Sequence, residues 1–368
     1  MDKKVFLITM GGTIAGNVAT VNRENKFIRG AGEFVEILAD TCEYIKRTSC
    51  INVIIAHFEL CNIDSSNISP QQWIDLADKI KEQYDDYDAF IITHGTNTMG
   101  YTAAALSFSL ANLDKPVIIT GSQVPSGIPG SDAFMNLENA LRVSVREEDR
   151  ESIKGVIAVF GSHIITGTRV KKSTLFNYDA FKSFETASIG RIGRILNIDR
   201  VALEKHNNYL STNRYRRAKK ANELICENDF DMRIASLTEF PGMDEKIFQT
   251  LVEQNDIKGF ILRAFGAGDA SEKLIPALEY LKGKQIPIVI TTQVPNGISN
   301  FQVNEPGLKI RKKGLAIPAY DMSIESQTTK LAWLLAKKGK KKISYEQLCD
   351  EMTQDMRGEI SVRWEVSL

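Results

Sequence analysis

Short apolar, β-branched runs recur along this chain and are separated by longer amphipathic stretches. The runs Lys4–Thr9, Asn52–His57, Ala89–Thr93, Val117–Thr120 and Val156–Phe160 predict strands, and their alternation with helical patterns predicts a parallel sheet with crossover helices. Between the second and third runs, Ser69 can cap a helix whose first position suits Pro70. Trp73, Ile74, Ala77, Ile80 and Tyr84 then share one face. After Asn197 the pattern dissolves. Residues 205–228 are polar and basic and include Arg214-Tyr215-Arg216-Arg217-Ala218-Lys219-Lys220, a run that reads as a solvated connection. Alternation resumes at Ile234–Leu237, Gly259–Leu262 and Pro287–Thr291. A helix over Ser323–Lys338 is stopped by Gly339, with lysines in its last turn. Ser344 and Gln347 form a capping box for a final helix. The expected fold is α/β in two domains: a larger N-terminal one with a mostly parallel sheet (1–205), a linker (206–228) and a smaller C-terminal one (229–368).

Composition narrows the partners. The 368 residues are 43% hydrophobic, enough for substantial cores without metal or disulfide support. Lys plus Arg equals Asp plus Glu at 46 each, so no global field favours nucleic acid or an anionic membrane. The basic run also lacks an aromatic stacking platform. Small molecules are the expected partners. The apolar run Val5–Ile8 is too short for a signal sequence, and no stretch approaches the ~20 apolar residues of a membrane span. Cys42, Cys50, Cys61, Cys226 and Cys349 show no CxxC spacing, which predicts free thiols in the cytoplasm and no zinc site. His57, His163 and His206 are scattered without metal-ligand spacing.

Open parallel sheets bind ligands beyond the carboxyl ends of their strands. Three such ends here are rich in glycine and small hydroxyl residues. Thr9-Met10-Gly11-Gly12-Thr13 pairs glycines, which permit close backbone approach, with a threonine just beyond them. Its spacing is not GxGxxG, so a nicotinamide site is not expected. Thr93-His94-Gly95-Thr96-Asn97-Thr98 leads into an alanine-rich helix at Tyr101–Ala111, whose first amides can face an anion or a carbonyl oxygen. Taken alone, Thr96 or Thr98 reads better as a helix cap. His94 is expected to shape its loop through hydrogen bonds rather than act as a base. The third end is Thr120-Gly121-Ser122-Gln123-Val124-Pro125.

Together these segments resemble the bacterial-type asparaginases, in particular the cytoplasmic type I branch. The matching pieces are Gly11-Gly12-Thr13-Ile14, Asp64-Ser65-Ser66, His94-Gly95-Thr96-Asn97-Thr98-Met99 and Pro116 through Gln123. Ser131-Asp132 with Asn136-Leu137, Gly167-Thr168-Arg169-Val170-Lys171-Lys172, Ile261-Leu262-Arg263 and Asp321-Met322-Ser323 with Glu325 follow in the family's order. The resemblance implies an amidohydrolase that converts a side-chain amide to carboxylate and ammonia through a threonyl acyl-enzyme. Thr13 matches the nucleophile, Thr96 the second catalytic threonine and Lys172 the lysine of the proton-transfer network. Ser65 matches the residue that binds the substrate carboxylate. Asp64, Ser66, Gly12, Gly95, Ser122 and Gln123 complete the implied substrate-binding set. A homodimer or dimer of dimers is implied, and Arg263 matches a residue of a regulatory site. Glu325 reads as a helix-start carboxylate that suits the dipole, with a contribution to a neighbouring subunit's site as the alternative. No metal or organic cofactor is implied. A threonine hydroxyl needs help from its surroundings, because it is a poor nucleophile without a base in hydrogen-bond reach.

The sequence departs from the family at the site itself. Where the family has Thr-Asp-Thr, this chain has Thr96-Asn97-Thr98. The family's aspartate binds the substrate's α-ammonium and neighbours the lysine; Asn97 keeps the shape and loses the charge. A zwitterionic substrate would lose an ion pair, and Lys172 an anionic neighbour that would hold its pKa up. Phe27 stands where members carry a tyrosine, and Gly130 where arginine is common. At the regulatory site Lys171 and Val294 replace small polar or thiol residues, so control by free asparagine is not expected. Three readings stay open: a hydrolase for an amide without a free α-ammonium, a sensor that has kept the fold without turnover, and an engineered Asp-to-Asn variant of an ordinary asparaginase.

Overall fold

The computed structural model describes residues 1–12, 38–126, 128–146, 152–211 and 223–361. Thr13, the loop from Gly16 to Gly30 with Phe27, and the basic run Arg214–Lys220 lie outside the described residues. The chain divides into two compact units, Met1–Asn228 and Asp229–Leu368.

In the first unit the elements run β1 (Asp2–Thr9), α1 (Ala39–Ser49), β2 (Asn52–Glu59), α2 (Pro70–Gln83), β3 (Ala89–Thr93), α3 (Met99–Ser109), β4 (Leu110–Ala111) and β5 (Pro116–Thr120). They continue with α4 (Ala133–Ser144), β6 (Gly155–Phe160), β7 (His163–Thr166), β8 (Val170–Lys172), β9 (Phe181–Ser183), β10 (Gly190–Ile192), β11 (Leu196–Ile198), α5 (Arg200–Ser211) and β12 (Ile225–Cys226). An eight-stranded sheet is ordered β11-β10-β7-β6-β5-β3-β1-β2. From β6 through β2 the pairs are parallel, and β7, β10 and β11 extend it antiparallel. Successive strand residues point to opposite faces, and here both faces are covered. Phe6 and Ile8 of β1 pack with Leu76, Ala77 and Ile80 of α2. Val5 and Leu7 pack on the other side with Ile45 of α1 and Leu137 and Leu141 of α4. Burial on both faces is why these strands read as unbroken apolar runs.

The capping box at Ser69 is present: Gln72 Oε1 accepts from the Ser69 N–H at 2.9 Å. Leu76 takes the buried place that periodicity gives to Ile74, which is half-buried. The alanine-rich helix starts earlier than expected, at Met99, and ends at Ser109. Leu110–Ala111 pair with Ile225–Cys226 instead, a tertiary partner that no local pattern announces. Nor does order end at Asn197. Asp199 Oδ1 accepts from the N–H groups of Val201 and Ala202 at 3.0 Å each, which caps α5. Leu203 and His206 on that helix are buried. One apolar and one imidazole anchor among polar neighbours make a periodicity too sparse to read.

The second unit holds β13 (Ile234–Thr238), α6 (Lys246–Asn255), β14 (Gly259–Ala264), α7 (Ile275–Gly283), β15 (Ile288–Thr292), α8 (Glu305–Lys313), β16 (Ile317–Pro318), α9 (Ile324–Gly339) and α10 (Tyr345–Met352). The sheet order is β13-β14-β15-β16, parallel throughout. Ser323 caps α9, accepting from Ser326 N, and the Ser344–Gln347 box caps α10. The Lys330 ammonium and the Glu359 carboxylate, both fully buried, pair at 2.6 Å. Among the described residues no helix is long and apolar enough to cross a membrane.

Candidate active site

The register of the large sheet brings three strand tips level. Thr9 lies opposite Thr93, and Thr93 opposite Thr120. Pairing runs one residue further, with Met10 N donating to Thr93 O at 3.0 Å and His94 N donating to Thr120 O at 2.9 Å. Beyond that point the chains meet through glycines. Gly11 and Gly12 have φ of 86° and 79°, the left-handed region that L side chains rarely adopt. A Cβ on Gly12 would stand 2.4 Å from the Gly95 Cα, and one on Gly95 would stand 2.6 Å from Ser65 Oγ. Gly95 is thus wedged between Gly12 and Ser65, and both glycines are required for so close an approach.

Ser65 and Ser66 sit on a single 3-10 turn, Ser65–Asn67. Asp64 accepts from Ser66 N at 2.8 Å, and its hydrogen bonds from Ser66 hold the carboxyl below its ordinary pKa. The turn is fastened to the second loop twice: Thr98 Oγ1 donates to Ser65 O at 2.7 Å, and Asn97 Nδ2 donates to Ser66 Oγ at 3.1 Å. Lys172 ends β8 and reaches the same loop. Its ammonium donates to Thr96 Oγ1 at 2.8 Å and to Asn97 Oδ1 at 3.2 Å. Burial pushes the Lys172 pKa below its ordinary value. These two partners are a hydroxyl and an amide, and neither offsets that shift with a negative charge. Partial burial and a hydroxyl in reach both act in the direction of an amine that accepts a proton.

The third loop is held from behind. Asp132, buried at the start of α4, accepts from Gln123 N at 3.0 Å and Val124 N at 2.9 Å. Asn136, one helical turn on, donates to Gly121 O at 2.9 Å and to Asp132 Oδ2 at 3.0 Å, and its Oδ1 accepts from Gly161 N at 2.9 Å. The Gln123 side chain donates to Leu175 O at 3.2 Å, so it steadies the segment that follows Lys172. Ser122 is fully buried. Asp132 and Asn136 belong to the family-like segments of the sequence, but nothing in the sequence assigns them a role. Their spacing of four on one helix is the available signal, and their targets are tertiary.

Eight residues singled out from sequence are thus within one contact network: Gly12, Asp64, Ser65, Ser66, Gly95, Thr96, Asn97 and Lys172. Thr13 follows Gly12 directly but lies outside the described residues. Gly130 has φ of 84° and offers its carbonyl to Tyr178 OH at 2.6 Å, a backbone state that disfavours a side chain. Arg263 is exposed on β14 of the second unit, and Glu325 is buried in the first turn of α9. His94 is fully buried with both ring nitrogens engaged, and burial pushes its pKa down to about 4. It shapes the loop, as its position before Gly95 suggests. The described cysteines are free thiols, and no group of three or more metal-ligating side chains occurs among the described residues.

Comparison with known proteins bears on this arrangement. The amino-terminal asparaginase domain matches residues 4–205, and the glutaminase/asparaginase C-terminal domain matches residues 233–346. The chain is 31% identical over 361 residues to L-asparaginase 1 of Escherichia coli K12, covering 98% of both. It is 29% identical over 334 residues to the L-asparaginase of Thermococcus kodakarensis, covering 90% of this chain and 92% of that one. Its structure superposes on the crystal structure of L-asparaginase I from Vibrio cholerae with a TM-score of 0.79, 29% identity and coverage of 98% and 100% of the two chains.

Proposed function

Because this chain belongs to the asparaginase family of amide hydrolases, we propose that it acts on a side-chain amide whose α-nitrogen carries no positive charge, such as an N-acylated or peptide-linked asparagine. The observation that carries this reading is Asn97, which stands at the strand tip with its amide between the Lys172 ammonium and Ser66 Oγ. An amide at this position stands where a carboxylate would hold an α-ammonium, so a charged α-nitrogen finds no counter-ion in this side chain. The rest of the chemistry is retained. Thr13 attacks the amide carbonyl, its hydroxyl proton passes to the amide nitrogen, and ammonia leaves as the acyl-enzyme forms. The Thr96–Lys172 pair, 2.8 Å apart, then draws a proton from the water that cleaves the ester, and that proton returns to the departing Thr13 oxygen. Strand-tip N–H groups hold the carbonyl oxygen as it becomes tetrahedral; losing one such donor typically costs ~3–4 kcal/mol.

A homodimer or dimer of dimers in the cytoplasm is the assembly and address that go with this reading. Ammonia release from N-acetylasparagine, asparagine and glutamine tests it. Turnover is expected with the blocked substrate in preference to free asparagine, and Thr13→Ala should abolish it. Binding without turnover of any amide, indifferent to Thr13→Ala, would mark a sensor instead.

A further inference from the structure

A hydrogen-bonded file runs from helix α2 into the second strand-tip loop, and donor chemistry fixes its direction. The Trp73 indole nitrogen lies 3.0 Å from Thr102 Oγ1. Thr102 Oγ1 lies 2.9 Å from His94 Nε2, and His94 Nδ1 lies 2.7 Å from the Gly95 carbonyl oxygen. An indole N–H can only donate, so Thr102 Oγ1 accepts from Trp73 and has its own hydrogen to give. A carbonyl oxygen can only accept, so His94 Nδ1 carries the ring proton and donates it to Gly95 O. The ring is neutral, which leaves Nε2 bare to accept the Thr102 hydrogen. Trp73 and Thr102, on two different helices, thus hold the far side of a ring whose tautomer the Gly95 carbonyl sets. Trp73 is 5% exposed, while Thr102 and His94 are 0% exposed, so water does not compete for these bonds.

The carbonyl at the end of the file belongs to the peptide that joins Gly95 to Thr96. In a trans peptide the C=O and the following N–H point in opposite directions within one plane. Fixing Gly95 O therefore fixes the direction of the Thr96 N–H and the root of the Thr96 side chain, whose hydroxyl meets Lys172. Gly95 cannot supply this order by its own conformation, because it lacks a Cβ. We propose that Trp73, Thr102 and His94 are positioning residues that act through the orientation of the His94 ring to hold the Gly95–Thr96 peptide in its reacting orientation. They touch no substrate. Their reach extends from the buried face of α2 to the tip of β3, which gives α2 and α3 a part in the chemistry.

This rests on Thr96 taking part in the proposed reaction, but the tautomer does not. Nitrogen NMR of the full-length protein labelled at histidine should show His94 protonated on Nδ1 and bare on Nε2 at neutral pH. Thr102→Val removes the partner of Nε2 with little change in volume; it should leave the proton on Nδ1, free the ring to move and lower kcat on the order of a hundredfold, with KM within a factor of about three. Thr102→Ser should restore kcat. An Nε2-protonated ring in the unaltered protein overturns the relay, as does a Thr102→Val protein that keeps full kcat. If Thr102→Val does not fold, the tautomer in the unaltered protein and the Thr102→Ser kinetics still decide. Absence of amide turnover by the unaltered protein would instead sink the functional reading and leave the tautomer result standing.

Discussion

At the scale of single residues, Lys172 is held by neutral partners. Lys172 meets a hydroxyl and an amide, and burial sets the direction of its pKa. As a base it works only when neutral, so kcat/KM should rise with pH through a pKa below the ordinary lysine value. Asn97→Asp would place a carboxylate beside it. An anion stabilises the charged amine and raises its pKa, so the rising limb should move to higher pH while affinity for free asparagine improves. An unmoved limb in that variant would show that Lys172 is not the titrating base. Asn97 was legible in the sequence, because a neutral residue in a charged motif stands out. Its engagement with Ser66, thirty-one positions away, was not, since only the turn at Asp64 and the approach of Gly95 to Ser65 bring the two together.

At the scale of elements, a loop of the site is held by a helix that lies behind it. α4 does so through Asn136, which bridges Gly121 O and Gly161 N. Asn136→Ala would leave both backbone groups without this partner. The expected cost is roughly 2–4 kcal/mol of stability, with a drop in kcat because the third loop loosens. Denaturant unfolding and steady-state kinetics together check this; a stable variant with lowered kcat would still support the bridge, whereas unchanged values of both would remove it. Helix ends set by local chemistry were readable, as at Ser69, Ser323 and Ser344. The end of α3 was not, because Leu110–Ala111 are drawn into pairing with Ile225–Cys226.

At the scale of the whole molecule, buried imidazoles make stability depend on pH. His94 and His206 are both pushed down to about 4 by burial. Unfolded, each would take up a proton near its ordinary value of 6.5. Stability is therefore fully present above that value and falls as pH drops toward 4, by up to roughly 3 kcal/mol for each group. His206→Gln should flatten this slope in equilibrium unfolding between about pH 7 and pH 5; a slope that does not change would mean the ring charges freely inside the fold. Features that depend on neighbours in the chain could be read from residue order: strand periodicity, capping serines, glycines at turns, and motifs that resemble the asparaginases, a family whose domains match both halves of the chain. Which loops face each other is a property of the folded chain alone. The registered tips of β1, β3 and β5 place Gly12 against Gly95, and β8 delivers Lys172 to Thr96 from seventy-six positions away. Residue order sets backbone preference through short-range sterics and hydrogen bonds, but a reactive pair exists only where packing excludes water and holds distant atoms within hydrogen-bond reach.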